Sequence, residues 1–176
     1  MRHTLITIVE NKPGVLNRVA SLFRRRSFNI DALNVGRTEN PDISRMTITL
    51  DSDKVDARKV EANLYKLVNV TDVQEASADN AVLRELAMIK VATPVAQRQE
   101  IMSLANVFGA KIADVGPETM IVQATASTEK VDSIVEALRP YGILELVRTG
   151  NVAMMRGSAE GTRYTPGAGD VVSYMQ

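Results

Sequence analysis

Residues 4–9, Thr4-Leu5-Ile6-Thr7-Ile8-Val9, form a short run that is β-branched and apolar apart from two threonines, the pattern of a largely buried strand. Lys12-Pro13-Gly14 ends it, because proline cannot continue a ladder and glycine tolerates backbone angles that a side chain forbids. Val15, Leu16, Val19, Ala20, Leu22 and Phe23 then recur at helical spacing, which predicts a helix over 15–26. Extended segments follow at about 29–38 and 43–51. A second helix is expected to start from Asp51-Ser52-Asp53, with Val60, Leu64, Leu67 and Val68 as its apolar face, and a strand covers 70–76. The order βαββαβ folds as an antiparallel sheet with both helices on one face.

The second half repeats that order with little identity of sequence. A strand at 84–92 alternates Leu86, Met88 and Lys90 against Ala87, Ile89 and Val91, and Pro94 opens a helix whose stripe is Ile101, Leu104, Ala105 and Phe108. Strands near 110–116 and 119–126 meet at Gly116-Pro117. A helix carries Val131, Ile134, Val135 and Leu138, and a strand closes the unit at 143–150. The chain thus reads as α+β, two tandem ferredoxin-like units over 1–77 and 82–157, joined by a polar linker at 75–80. Five of the ten glycines fall between 150 and 169, so residues 158–176 are expected to form a flexible tail.

Composition narrows the classes. A length of 176 residues suits one ordinary domain or two small ones, and 45% hydrophobic with 24% charged residues is a soluble globular balance. Lys and Arg number 21 and Asp and Glu 21, so bulk charge indicates neither nucleic acid nor an acidic membrane surface. The absence of cysteine excludes disulfides, thiolate metal sites and iron–sulfur ligation. No apolar run is long enough to span a bilayer and no secretory pattern opens the chain, so a cytoplasmic location is the simplest expectation.

Candidate chemistry concentrates at the first turn. The unpaired N–H groups of the helix after Gly14 favour an anion, Gly14 allows close approach to the backbone, and the Asn11 amide can serve an ammonium or a carboxylate. Together these describe a free amino acid. The corresponding turn of the second half, Ala92-Thr93-Pro94-Val95, has neither the asparagine nor the glycine and should lack such a site. Other chemistry lacks parts. His3 is the single histidine and lies at the chain's start, so a Ser–His or Cys–His nucleophile is not indicated. Asp51, Asp53 and Asp56 depart from calcium-loop spacing, and helix capping by Asp53 with a dipole interaction for Asp56 explains them better. In Ser127-Thr128-Glu129-Lys130, Ser127 reads as a helix cap. Arg24-Arg25-Arg26 closes a helix, where positive charge is favourable. The layout is also that of an RNA-recognition fold, but the expected central strands, 4–9 and 45–50, contain no aromatic residue on which bases could stack.

Asn11-Lys12-Pro13-Gly14-Val15-Leu16, with Val19-Ala20-Ser21-Leu22-Phe23 and Phe28-Asn29-Ile30-Asp31, resembles the opening of an ACT domain, the amino-acid-sensing module. Continuing through Val35-Gly36, Ser44-Arg45-Met46-Thr47-Ile48 and Leu64-Tyr65-Lys66-Leu67-Val68-Asn69-Val70, the chain resembles the small regulatory subunit of acetolactate (acetohydroxyacid) synthase. Val147-Arg148-Thr149-Gly150-Asn151-Val152-Ala153-Met154 resembles that family's closing strand, and the likeness spans about the first 157 residues. The resemblance implies a homodimer through the N-terminal ACT domains, with a branched-chain amino acid, usually valine, bound at the seam. It implies that the backbone of Gly14, Val15 and Leu16 holds the carboxylate and that Asn11 meets the polar end. Asn29 and Ile30 would approach from the neighbouring subunit. Val15, Ile30, Leu33 and Val35 could supply apolar surface, with core packing the competing role for each. The resemblance further implies a non-catalytic subunit that activates a large catalytic partner and confers feedback inhibition. Thiamine diphosphate, magnesium and FAD would belong to that partner and none to this chain. A stand-alone amino-acid sensor without an enzyme partner is the alternative.

Overall fold

The computed structural model describes residues 2–51 and 57–157 of the chain. The helix cap expected at Asp53, the role given to Asp56 and the tail expected over 158–176 fall outside the described residues. Nine strands and four α-helices are described, forming two ferredoxin-like α+β domains.

The first domain comprises β1 (Arg2–Glu10), α1 (Val15–Arg25), β2 (Ile30–Arg37), β3 (Ile43–Asp51), α2 (Ala57–Leu64) and β4 (Val70–Ala76), with sheet order β2-β3-β1-β4. All its pairings are antiparallel, and β2 lies on an edge. Leu5 and Val9 point into a core with Val19, Phe23, Met46, Ile48, Val60 and Leu64. Ile6 faces the other way yet is also fully buried, which is why β1 reads as a continuous apolar run. The turn after α1 places Ser27 at φ 54 and sets Phe28 edge-to-face on Phe23, ring centroids 6.0 Å apart. Of the face expected for the second helix, Val60 and Leu64 are buried and Leu67 packs at the core's rim. Val68, in contrast, is 85% exposed, because α2 ends at Leu64 and the turn leading into β4 points that side chain outward.

The second domain comprises β5 (Ala81–Ala92), a 3₁₀ turn (Val95–Gln97), α3 (Arg98–Phe108), β6 (Lys111–Val115), β7 (Thr119–Ala126), α4 (Thr128–Leu138), a second 3₁₀ turn (Arg139–Tyr141), β8 (Ile143–Arg148) and β9 (Val152–Met155). The sheet order is β6-β7-β5-β8, and β9 pairs separately with Ala81, Val82, Leu83 and Arg84 of β5. Ala87, Ile89 and Val91 face Ile101, Ala105, Val131, Ile134 and Leu138 in the core, the phase that the alternation predicts.

Four expectations change. The segment at 75–80 is no loose linker: Glu75 and Ala76 complete β4, and the Asn80 side chain accepts from the Ser77 N–H (2.7 Å) and donates to the Glu75 carbonyl (3.1 Å). The strand expected from 84 starts at Ala81, because Ala81 packs on Ile6 with Ala76 and Ala153. Pro94 opens a 3₁₀ turn and the α-helix begins only at Arg98. The strand expected over 143–150 stops at Arg148, and after Gly150, at φ +74, the chain turns to form β9.

This β8–β9 crossing clamps the two domains together. Asn34 of β2 donates to the carbonyls of Thr149 (3.0 Å) and Asn151 (2.9 Å), and Arg45 of β3 donates to the carbonyl of Ala153 (2.5 Å). Gly150 lies so close to Ala32 that a Cβ built on it would approach the Ala32 Cβ closer than the 3.0 Å below which something must shift.

Candidate functional site

The turn 11–14 sits at the end of the sheet where Glu10 pairs with Ile43. The Asn11 N–H donates to the Asp42 carbonyl and its Nδ2 to the Pro41 carbonyl, both at 2.7 Å, so the turn is tied to the β2–β3 hairpin. Its Nδ2 being committed, Oδ1 is the acceptor that amide has to offer. Gly14 occupies the N-cap of α1 at φ 83, and no side chain caps the helix. The positive φ calls for glycine, and a Cβ built there would meet nothing within 4 Å, so the space above the helix end is open. The first turn of α1 carries no acidic residue; the Val15 N–H donates to the Lys12 carbonyl at 3.3 Å, and the N–H groups that follow have no side-chain cap, which favours an anion at that end.

A polar network flanks the turn. Arg18 donates to Asn69, Asn69 donates to the Glu10 carboxylate, and Lys12 pairs with Glu10 at 3.0 Å. The Asn69 amide first, and Lys12 second, hold the Glu10 carboxyl below its ordinary range.

Leu16 is 44% exposed beside the turn, whereas the Val15 side chain is buried in the core with Val19 and Phe23. Val15 can therefore offer only its backbone, and core packing takes its side chain. Ile30 and Leu33 are partly buried against the same core, and Val35 is 44% exposed on the edge strand. Asn29 is exposed, its Nδ2 3.4 Å from Asp31 Oδ1. Ile30 pairs with Leu50, which pairs with His3, so Asn29 and Ile30 lie at the opposite end of the sheet from the turn 11–14. Within one chain, the structure does not bring the two groups together.

One charged cluster was not anticipated from the sequence. Glu85, only 3% exposed, accepts from Arg148, which also pairs with Asp132 at 2.6 Å. Burial opposes the Arg148 charge, but its hydrogen bonds to Glu85 and Asp132 outweigh burial and raise its pKa. The signal was present: Glu85 falls in the buried phase of the 85, 87, 89, 91 alternation, where a carboxylate needs a partner. Ser127 stands at the N-cap of α4, but its hydroxyl makes no capping bond. His3 lies 2.6 Å from Glu75. Among the described residues no group of three or more His, Cys, Asp and Glu could hold a metal, and no helix is long and apolar enough to cross a membrane. β1 and β3 are indeed the central strands of the first sheet, and Phe, Tyr and Trp are absent from both.

Comparison with known proteins gives a consistent result along both domains. Residues 5–72 match the model for the AHAS small subunit-like ACT domain, and residues 84–157 that for the small subunit of acetolactate synthase. A probable acetolactate synthase small subunit from Archaeoglobus fulgidus is 48% identical over 158 residues, covering 90% of this chain and 99% of that protein. The acetolactate synthase small subunit of Mycolicibacterium smegmatis is 45% identical over 155 residues, covering 88% and 91%. The crystal structure of the small subunit from Thermotoga maritima superposes with a TM-score of 0.81 at 38% identity, covering 90% of this chain and 99% of that one.

Proposed function

The chain belongs to the acetolactate synthase small-subunit family, and from that premise we propose that it activates a thiamine-dependent catalytic subunit and makes it sensitive to feedback inhibition by valine. The thiamine diphosphate, magnesium and FAD of the holoenzyme stay with the catalytic subunit, and this chain carries regulation only. One observation supports the effector site: β2 is an edge strand running from the Asn29–Ile30 end of the sheet to the Asn11–Gly14 end. A second copy pairing antiparallel along β2 sets its own Ile30 beside Arg37, at the end where Arg37 meets Ser44 and Ser44 meets Val9. Two half-sites that one chain holds apart thus become neighbours across two chains.

In that seam the N–H groups after Gly14 take the effector's carboxylate, and Asn11 Oδ1 takes its ammonium. Leu16 and Val35 offer the exposed apolar surface for a branched side chain. One methylene changes such binding by about 1–3 kcal/mol, so leucine and isoleucine bind in a graded series with valine. Inhibition follows from linkage, the effector binding the low-activity assembly more tightly than the active one.

The test is reconstitution of the full chain with its catalytic subunit. Acetolactate formation should rise with added chain and fall with L-valine but not D-valine. A catalytic subunit whose rate and valine response ignore the chain would overturn the reading in favour of a sensor without an enzyme partner.

A further inference from the structure

On the sheet face opposite the helices, a groove of about 430 Å³ runs between the two domains. Its floor is the clamp described above, Asn34 and Thr47 of the first domain against Ala153 of the second. Apolar side chains form its walls: Val82, with Val152 at 51% and Met154 at 68% exposure. Arg37, Arg45 and Arg84 complete the lining, which includes no carboxylate. Arg45 is fixed by its bond to the Ala153 carbonyl, so one guanidinium is already positioned beside the apolar wall.

Exposed apolar patches that carry methionine and arginine are characteristic of protein–protein contacts. A second copy is a poor occupant. The second copy proposed above pairs along the β2 edge, not over this face, and two copies meeting through the groove itself would bring together two arginine-bearing linings with no carboxylate in either. The occupant is instead a chain of different charge. We infer that the groove is the docking surface for the catalytic subunit, which enters with an apolar segment flanked by carboxylates. The inference rests on the activating role given above and adds its location. Because β9 and β2 both line the groove, a docked segment touches the strand that carries Asn29 and Ile30, and thereby the effector seam.

The experiment titrates the full chain, wild type, Arg84→Glu and Met154→Asp, into the catalytic subunit at low and high salt, with activity as readout. Each free chain is followed in parallel by sedimentation and circular dichroism. Both variants should need more than tenfold higher concentration for half-maximal activation, with unchanged fold and oligomeric state. The wild type should weaken with salt, and Arg84→Glu should lose that dependence. Met102→Asp, on an exposed position of α3, should activate like the wild type. Variants that activate at the wild-type concentration overturn the docking surface while leaving the activating role intact. A wild type that fails to activate overturns that role itself. Loss of self-association in either variant assigns the groove to a second copy and overturns the inference, and if Met154→Asp does not fold, Arg84→Glu decides.

Discussion

Replacing Gly150 with alanine should loosen the clamp between the domains, and the cost can be worked out from its parts. At φ +74 an alanine carries about 1 kcal/mol of backbone strain. Its Cβ would overlap the Ala32 Cβ, which forces the 149–151 loop away from β2. That movement breaks the two Asn34 hydrogen bonds to Thr149 and Asn151, worth about 1 kcal/mol each. The total is about 3 kcal/mol, or roughly 6–12 °C in melting temperature for a chain of this size. The contact also contains its own control. With Ala32→Gly the next atom facing the new Cβ is the Ala32 Cα at 3.6 Å, an ordinary van der Waals distance. Ala32→Gly combined with Gly150→Ala should therefore keep the two Asn34 bonds and lose only the backbone term and the usual cost of a strand glycine. A double-mutant cycle by thermal or urea unfolding should report a favourable coupling of about 2 kcal/mol. Additive effects, or a Gly150→Ala protein melting with the wild type, would show that the β8–β9 crossing does not bear on β2.

Gly14→Asp should fold with a cost of about 1 kcal/mol for its positive φ, since nothing lies within 4 Å of its Cβ, but should lose valine response. A carboxylate about 4 Å from the effector's own costs about 4 kcal/mol at partly buried sites, close to a thousandfold in Kd by calorimetry. Full inhibition of the reconstituted mutant would refute the site. Arg148→Met should destabilise by about 3 kcal/mol, because Glu85 stays buried without its cation, and Glu85→Leu with Arg148→Met should recover most of that in urea unfolding. Asn69→Ala should raise the Glu10 pKa towards its ordinary value in an NMR titration, Asn69 being the main cause of its depression. A depressed carboxyl stabilises the fold above the ordinary carboxylate range and loses that contribution as pH falls through its lowered pKa. The mutant should therefore show a weaker acid dependence of stability between those two values.

Periodicity made most of the fold legible, since nearly every strand and helix sits where its apolar positions recur. What escaped it was tertiary. Val152 and Met154 are exposed and Ala153 buried, an alternation over four residues that is too short to mark a strand beside so many glycines. β9 exists because the second face of β1, with Ile6 buried on it, needs a cover, and no local pattern announces which distant segment supplies it. The buried phase of β5 did extend back to Ala81, and following it past Glu85 would have found both the longer strand and its buried carboxylate. At the candidate site, the turn 11–14 and the strand that begins near Ile30 were both readable in advance. The burial of the Val15 side chain was not, because first-turn helix residues face core or solvent according to how the helix lies on the sheet.

If the effector binds as proposed, the placement of Asn11 and Gly14 at one end of a sheet and of Asn29 and Ile30 at the other would make its binding a matter of mass action between chains. On the proposed pairing, a lone chain holds no complete pocket, so its intrinsic affinity for the effector is that of half a site. Each bound molecule then favours the paired state by RT ln(1 + [L]/Kd), about 2.7 kcal/mol at a hundred times Kd, and a two-fold pair holds two such molecules. Diluting the protein should weaken apparent affinity, and adding effector should lower the concentration at which chains associate. The dose–response of the pathway would then depend on how much regulatory subunit a cell makes, so that the same chain reports on its effector's level and on its own.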